Sequence, residues 1–201
     1  MKVLQESIMV PENYKYAINE LPEMKSAIHD WYKNRYNVEL TYDEMICLQG
    51  SQEALSTLFL AMCDPGDIVL VPDPYYPIFS DGPKIAGAKV EYMPLLQENN
   101  YVIQLDQIDE EIAKKAKMMI VSYPNNPTCA IAPDSFYEEL IQFAKKYDIV
   151  VLHDNAYSEL VFDGKVGKSF LSFEGAKEIG IELNSFSKTY GTVSYTHLRA
   201  H

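Results

Sequence analysis

The first candidate for chemistry is Lys188, which lies among small hydroxyl-bearing residues directly after a short strand-like run at residues 180–183. A lysine amine becomes a nucleophile when desolvation or neighbouring positive charge lowers its pKa, and its commonest covalent product is an imine with an aldehyde. Ser185 and Ser187 place two hydroxyls beside it that can donate hydrogen bonds to a phosphate. A lysine among serines is more often solvated surface, so the interpretation depends on the motifs that precede it.

The second candidate is the Gly-Ser-Gln segment at residues 50–52. We predict a buried strand at residues 45–48 before it and a helix at residues 51–62 after it. A strand, a glycine and a helix in this order leave free N–H groups and the positive end of the helix dipole above the strand, which suits a phosphate. The alternative is that Ser51 only caps the helix while Gly50 forms the turn.

Two proline-rich segments follow predicted strands at residues 68–71 and 118–121. Pro-Asp-Pro-Tyr-Tyr-Pro occupies residues 72–77 and Tyr-Pro-Asn-Asn-Pro-Thr occupies residues 123–128, and neither can continue a strand because proline restricts its own φ and its predecessor. Tyr76 either lays its ring on an aromatic cofactor or packs with Tyr75 over the sheet edge. The Asn126-Pro127 bond is a candidate cis peptide.

Asp154 and Tyr157 follow a continuous apolar run at residues 149–152, which is typical of a strand buried on both faces of a parallel sheet. A further strand is expected at residues 89–93, and helices at residues 22–35, 78–85, 108–115 and 136–147. Short apolar runs that alternate with helices predict an α/β fold with a mostly parallel, doubly wound sheet. Ligand sites in such sheets lie beyond the carboxyl ends of the strands, where these candidates fall.

Composition excludes several classes of protein. The formal charge of −12, from 17 Lys and Arg against 29 Asp and Glu, argues against nucleic acid or an anionic membrane as the main partner. No apolar run approaches the roughly 18 residues that span a bilayer, and no signal peptide is visible, so we expect a cytoplasmic protein. The three widely spaced cysteines fit neither a disulfide framework nor a metal site.

In family order and with family-like spacing, the motifs are Gly-Ser-Gln, Pro-Asp-Pro-Tyr-Tyr-Pro, Tyr-Pro-Asn-Asn-Pro-Thr, His-Asp-Asn-Ala-Tyr and Ser-Phe-Ser-Lys. As a set they resemble the class I and II aminotransferases, which are pyridoxal-phosphate enzymes of fold type I, over residues 20–192. Within that family the segments look most like bacterial LL-diaminopimelate aminotransferase-like proteins. The resemblance implies amino transfer between an amino acid and a 2-oxo acid through a lysine Schiff base, in a homodimer.

The resemblance also implies a role for each candidate residue. Lys188 carries the cofactor covalently, and Asp154 pairs with its ring nitrogen. Tyr157 and Asn126 hydrogen-bond the ring hydroxyl oxygen, and Tyr76 stacks on the ring. The residues implied to surround or hold the phosphate are Gly50, Ser51, Gln52, Ser185 and Ser187.

The sequence departs from the family pattern at Cys129, at its amino-terminal end, which begins later than in relatives, and at its carboxyl-terminal end. Cys129 stands where relatives usually carry glycine, so the turn is strained if that position requires a positive φ. Residues 193–201 match, codon for codon, the translation of a transposase adapter used in sequencing libraries, and Thr196 stands where relatives carry a phosphate-binding arginine. We therefore expect a partial amino-terminal segment at 1–21, an incomplete cofactor-binding large domain at 22–192 and a non-native tail at 193–201.

Two functional hypotheses remain open at this point. The parent protein is an aminotransferase of which this chain is most of the cofactor domain, or the chain by itself is an inactive fragment. Both can hold together. Within the enzyme class, a C–S β-lyase or another α-family pyridoxal-phosphate enzyme is the alternative, because the same cofactor residues serve several reactions.

Overall fold

The computed structural model describes residues 2–16 and 20–191. The chain divides into two compact units, Met1–Cys47 and Leu48–His201. The tail expected at residues 193–201 lies outside the described residues. The domain boundaries at residues 22 and 193 stay a prediction.

The first unit contains helices α1 (Lys2–Ile8) and α2 (Pro22–Tyr36), with short 3-10 helices at Pro11–Tyr14 and Tyr42–Glu44. Helix α2 confirms the predicted helix at residues 22–35. It begins at a proline, whose missing N–H is not needed in the first turn, and ends at Asn37, which adopts the left-handed conformation.

The strand predicted at residues 45–48 is wrong, because within the described residues this segment joins no sheet. A strand needs a neighbour to accept and donate its backbone hydrogen bonds. The Cys47 N–H instead donates to the Glu20 carboxylate at 3.1 Å, and the side chain of Ile46 is 74% exposed.

The second unit is built on a parallel sheet that, within the described residues, has five strands in the order β2-β1-β3-β4-β5. The strands are β1 (Ile68–Asp73), β2 (Lys89–Pro94), β3 (Ala116–Ser122), β4 (Val150–Asp154) and β5 (Gly180–Leu183). The helices are α3 (Ser51–Met62), α4 (Ile78–Ile85), α5 (Glu110–Ala113), α6 (Asp134–Tyr147) and α7 (Phe186–Tyr190). The predicted α/β class is confirmed.

Each face of the sheet is covered by its own hydrophobic core. Side chains alternate between the faces along a strand, so Val151 lies on one side of β4 and Leu152 on the other. Leu152 packs in a core that includes Phe59 of α3 and Phe79 of α4. Val151 packs in a second core that includes Leu140 of α6. The α3/α4 face and the α6 face are therefore distinct environments.

Two helices begin at other residues than predicted. Helix α5 begins only after Asp109, whose carboxylate accepts from the N–H groups of Glu111 and Ile112. Helix α6 begins at Asp134, before the predicted start at residue 136, and follows Pro133 without a side-chain cap. None of the helices in the described part of the chain is both long and apolar enough to cross a membrane.

Candidate active site

The candidate residues converge at the carboxyl edge of the sheet because parallel strands end on the same side. Ser122 at the end of β3 stands opposite Asp154 at the end of β4, and Asp154 stands opposite Leu183 at the end of β5. The segments that follow these strands carry Asn126, Tyr157 and Lys188. The convergence predicted from the sequence is thus a direct result of the strand register.

Asp154 is a buried carboxylate with an unsatisfied oxygen. Its side chain is 6% exposed, and Oδ1 has no hydrogen-bond partner within the described residues. Burial removes the solvation of the charged form and raises the pKa of Asp154 to about 6. The charge of His153, the N–H of Ala156 and the ammonium of Lys188 lower the pKa but do not cancel this effect. Such a carboxylate is suited to a cationic N–H donor.

Tyr157 and Asn126 lie together next to that carboxylate. The Asn126 amide donates to the Tyr157 hydroxyl at 3.4 Å. The pKa of Tyr157 is raised mainly by burial and then by the negative charge of Asp154, while the Asn126 hydrogen bond acts in the opposite direction. The tyrosine is therefore kept as a neutral hydroxyl, which can donate a hydrogen bond.

Tyr76 is connected to the phosphate-loop candidate and to Tyr157. The Gln52 amide donates to the Tyr76 hydroxyl, and the phenol of Tyr76 is close enough to raise the pKa of Tyr157. The two neighbouring tyrosines behave differently. Tyr75 stacks on Tyr92 of the edge strand β2 at 5.5 Å between ring centroids, so packing over the sheet edge describes Tyr75.

Gly50 and Ser51 form the start of α3. Gly50 is the residue that precedes the helix, with φ 89°, a conformation that side chains rarely adopt. Ser51 is the first residue of the helix, so the alternative in which Ser51 caps it is wrong. Its hydroxyl is half-buried and is not used as a helix cap.

Lys188 lies in the short helix α7, directly after β5. Its side chain is exposed, Ser185 is buried and Ser187 is half-buried. Within the described residues, no hydrogen bond joins these three side chains to the other candidates. The link between Lys188 and the rest of the site is its charge, which lowers the pKa of Asp154.

Cys129 adopts φ 59°, so the positive φ that its position was expected to require is present. The turn is held by Asn125, whose side-chain oxygen accepts from the Thr128 N–H at 3.1 Å and whose carbonyl accepts from the Cys129 N–H at 2.9 Å. The Asn126-Pro127 peptide bond inside this turn is cis, as predicted.

Sequence reasoning missed a buried pair formed by His153 and Glu182 behind the site. The Nδ1 atom of His153 lies 2.8 Å from Oε2 of Glu182, and both side chains are fully buried. The available signal was a polar residue inside each of two apolar strands, which is costly unless the two residues meet.

Comparison with known proteins identifies the family. The family model for aminotransferase class I and II matches residues 3–195, so the chain belongs to this family. The resemblance inferred from the motifs is confirmed.

Individual curated proteins and solved structures support the same family. The chain is 48% identical over 192 residues to LL-diaminopimelate aminotransferase of Halothermothrix orenii, and this alignment covers 94% of the chain and 49% of the relative. It is 44% identical to the Moorella thermoacetica protein of the same name. Substrate-bound BacF of Bacillus subtilis superposes with a TM-score of 0.90 at 36% identity, covering 97% of this chain and 50% of that one. A probable N-succinyldiaminopimelate aminotransferase of Thermus thermophilus gives 0.88 at 33% identity, covering 97% and 53%. The chain spans about half the length of the relatives it matches.

Proposed function

We propose that this chain is the cofactor-binding part of a pyridoxal-phosphate-dependent aminotransferase. The observation that carries the proposal is the buried, unsatisfied carboxylate of Asp154 beside Tyr157, Asn126 and the charge of Lys188. The names of the relatives favour amino transfer over the C–S β-lyase alternative.

The donors and acceptors present fit this cofactor. Asp154 offers a carboxylate oxygen for a protonated ring nitrogen, and its pKa would fall again once a cation replaced the lost water. Tyr157 and Asn126 offer hydroxyl and amide donors for a ring oxygen. Ser51, Gln52 and Ser185 offer donors for a phosphate, and Tyr76 offers an aromatic face for the ring.

Asp154 and Lys188 have complementary tasks in the proposed reaction. Bound pyridoxal phosphate supplies an electron-withdrawing ring that accepts the electron pair left when a substrate loses its Cα proton. Asp154 would keep the proton on the ring nitrogen, because an ionised carboxylate stabilises a neighbouring cation. The ε-amine of Lys188 would hold the cofactor and, as a free amine, would accept the Cα proton and return it as general base and acid.

Ring position depends on the surrounding side chains. Asn126 donates to Tyr157 and Gln52 donates to Tyr76, so these side chains would be held in place to bond the ring oxygen and to support the ring. Gly50 and Ser187 belong to the two loops that we propose enclose the phosphate. Correct placement matters because a misplacement of about 1 Å can lower a rate by about a hundredfold.

For the substrate, we propose LL-diaminopimelate or a closely related amino acid as amino donor, with a 2-oxo acid as acceptor. The support is the name shared by the curated relatives cited above. The resemblance also leads us to propose a homodimer. A cytoplasmic location is proposed because the three cysteines are all free, as expected in a reducing compartment. Light scattering of the purified complete protein tests the dimer.

The test of the proposed function is covalent attachment at Lys188. We expect the complete protein with added pyridoxal phosphate to absorb in the visible range and to lose that band on reduction with borohydride. Peptide mass spectrometry should then find the reduced adduct on Lys188. Amino transfer from LL-diaminopimelate to 2-oxoglutarate should be measurable with the unreduced protein.

The variant Lys188→Ala should lose both the adduct and the activity, while Lys115→Ala, which removes an exposed lysine elsewhere, should keep both. A borohydride-reducible adduct that persists in Lys188→Ala would remove this lysine from the proposed role.

A further inference from the structure

The buried pair His153–Glu182 connects the strand that ends in Asp154 to the strand that leads to Lys188. His153 of β4 and Glu182 of β5 are directly opposite each other in the parallel ladder. Their side chains meet at 2.8 Å, and each is 0% exposed. A polar pair therefore stands in a layer otherwise formed by aromatic and aliphatic residues, among them Tyr137 and Phe170.

The Glu182 carboxylate is held from several directions. Oε1 accepts from the Ser169 hydroxyl at 2.8 Å, and Oε2 accepts from the Phe170 N–H at 2.8 Å as well as from His153. Because a carboxylate oxygen accepts, we assign Nδ1 of His153 as the donor of this hydrogen bond. The loss of either partner would leave a buried polar group unsatisfied, which is strongly unfavourable.

The pair lies on the α6 face, opposite the candidate site. Successive side chains of a strand point to opposite faces, so His153 faces α6 while Asp154 faces the α3/α4 side. On β5 the same alternation places Glu182 with His153 and Leu183 with Asp154. The side chains of the pair thus lie on the opposite face from the residues that would touch the cofactor, and they reach Asp154 only through their effect on its pKa.

The His153–Glu182 pair makes other registers of β5 against β4 energetically unfavourable. A slip of one residue moves every side chain of a strand to the other face, and it would bring Glu182 to the side of the Asp154 carboxylate. A slip of two residues would place Gly180 or Asn184 opposite His153, and neither provides a carboxylate. Purely apolar residues at these positions would discriminate between registers far less.

We propose that His153 and Glu182 are positioning residues that fix the register of β5 against β4 and thereby set the position of Lys188 relative to Asp154. A one-residue slip moves a strand by about 3.3 Å, several times the misplacement that impairs catalysis. This inference rests on the proposed function, because it concerns the lysine and the carboxylate of that same site.

The experiment replaces both members by leucine in the complete protein, in the double variant His153→Leu/Glu182→Leu. Removing both partners avoids a lone buried histidine or glutamate, while the Ser169 hydroxyl and the Phe170 N–H lose their acceptor, so we expect the denaturation midpoint to fall by less than in either single leucine variant. The rate at which the visible, borohydride-reducible bond forms at Lys188 should nevertheless fall by tenfold to about a hundredfold. The conservative variant Glu182→Gln, which keeps an acceptor for the same partners, should recover much of that rate.

The matched control is Ile181→Val, which shortens an apolar side chain of the same strand opposite Leu152 and leaves the pair intact. It should lower the denaturation midpoint but keep the rate of attachment. A double variant that attaches the cofactor as fast as the unchanged protein would overturn the proposal. So would an Ile181→Val protein that loses as much rate as the double variant.

Hydrogen exchange keeps this test independent of the proposed function and of the folding of the double variant. In the single variant Glu182→Leu, which removes the acceptor, amide protection should fall for the β5 peptide and remain for the β4 peptide, while an equal loss in both peptides would contradict the register role. If the unchanged protein forms no adduct with pyridoxal phosphate, the proposed function fails. Hydrogen exchange of the β4 and β5 peptides would still test whether the pair fixes the strand register. If the adduct forms equally with and without the pair, only the present inference fails.

Discussion

At Asp154 the demands of stability and function oppose each other. The folded protein binds the proton of this carboxyl more tightly than the unfolded chain does, since burial raises the pKa from 3.8 to about 6. Ionisation therefore destabilises the cofactor-free protein increasingly as the pH rises above 3.8, and the effect is complete above about pH 6. Below the unfolded value of 3.8 the carboxyl is neutral in both states, and its ionisation no longer matters.

The variant Asp154→Asn tests this linkage in the complete, cofactor-free protein. At pH 8 we expect its free energy of unfolding to exceed that of the unchanged protein by up to about 3 kcal/mol, from a shift of about two pKa units. The excess should shrink as the pH falls through 6 and vanish near pH 4. Urea unfolding at both pH values measures it, with exposed Asp106→Asn as the control.

With pyridoxal phosphate bound, the same variant should lose amino transfer by orders of magnitude, because an amide cannot hold the ring-nitrogen proton. An equal stability difference at pH 8 and pH 4 would show that the carboxyl is not buried as described. Activity close to that of the unchanged protein would remove Asp154 from its proposed role.

Cys129 provides a second prediction at the residue scale. A side chain in the left-handed region is unfavourable by roughly 1 to 2 kcal/mol, and glycine avoids that penalty at the cost of greater freedom in the unfolded chain. Cys129→Gly should therefore raise the free energy of unfolding by up to about 1 kcal/mol, measured by chemical denaturation. Cys47→Ala is the control for loss of a thiol, and a destabilised Cys129→Gly protein would contradict the expectation.

Single residues differ in how far the sequence alone reveals them. Lys188, Asp154 and Asn126 follow strands whose apolar runs are visible in the sequence, so their common edge could be predicted. The partnership of His153 with Glu182 could not, because it depends on the register between two strands that are separated by 25 residues, from 155 to 179.

At the scale of elements, α3 and α4 touch through their backbones. A Cβ atom added to Gly82 of α4 would lie 2.0 Å from the Leu55 carbonyl oxygen of α3 and 3.0 Å from the Phe59 ring. These helices carry Ser51 and Gln52 at the start of α3, and Tyr76 just before α4. Their spacing therefore sets the spacing of the proposed phosphate and ring contacts.

Gly82→Ala should separate the two helices. We expect a loss of about 1 to 3 kcal/mol in the free energy of unfolding, typical of an overpacked core, and weaker binding of pyridoxal phosphate. Denaturation and a titration of visible absorbance measure the two effects. Leu60→Ala, on the exposed side of α3, should leave both nearly unchanged, and an equally stable Gly82→Ala protein would contradict this contact.

Elements with strong periodicity were predictable, and those that depend on a distant partner were not. The helices at α2, α3, α4 and α6 follow from apolar residues at helical spacing, and β1, β3 and β4 follow from apolar runs. Residues 45–48 have the same apolar character but form no strand in the described part of the chain. At residues 45–48 the apolar run predicted neither the pairing nor full burial, since the side chain of Ile46 is 74% exposed.

At the scale of the whole molecule, the described core and the candidate site belong to one unit. Both hydrophobic clusters and all ten candidate residues lie after Cys47. We predict that the complete protein without residues 1–47 keeps its sheet, with hydrogen-exchange protection in β3 and β4 and an unchanged far-ultraviolet circular dichroism per residue of that unit. Uniform loss of protection would show that the unit does not fold by itself.

The order of β4 and β5 along the chain has a consequence for biosynthesis. Among the five described strands, β5 is the last in sequence and pairs with β4. Lys188 follows Asp154 by 34 residues, which a ribosome that adds 5 to 20 residues per second completes in about 2 to 7 s. Translation therefore supplies the carboxylate of Asp154 before the amine of Lys188, so the lysine can join the site only after the strand that carries its partner has been synthesised.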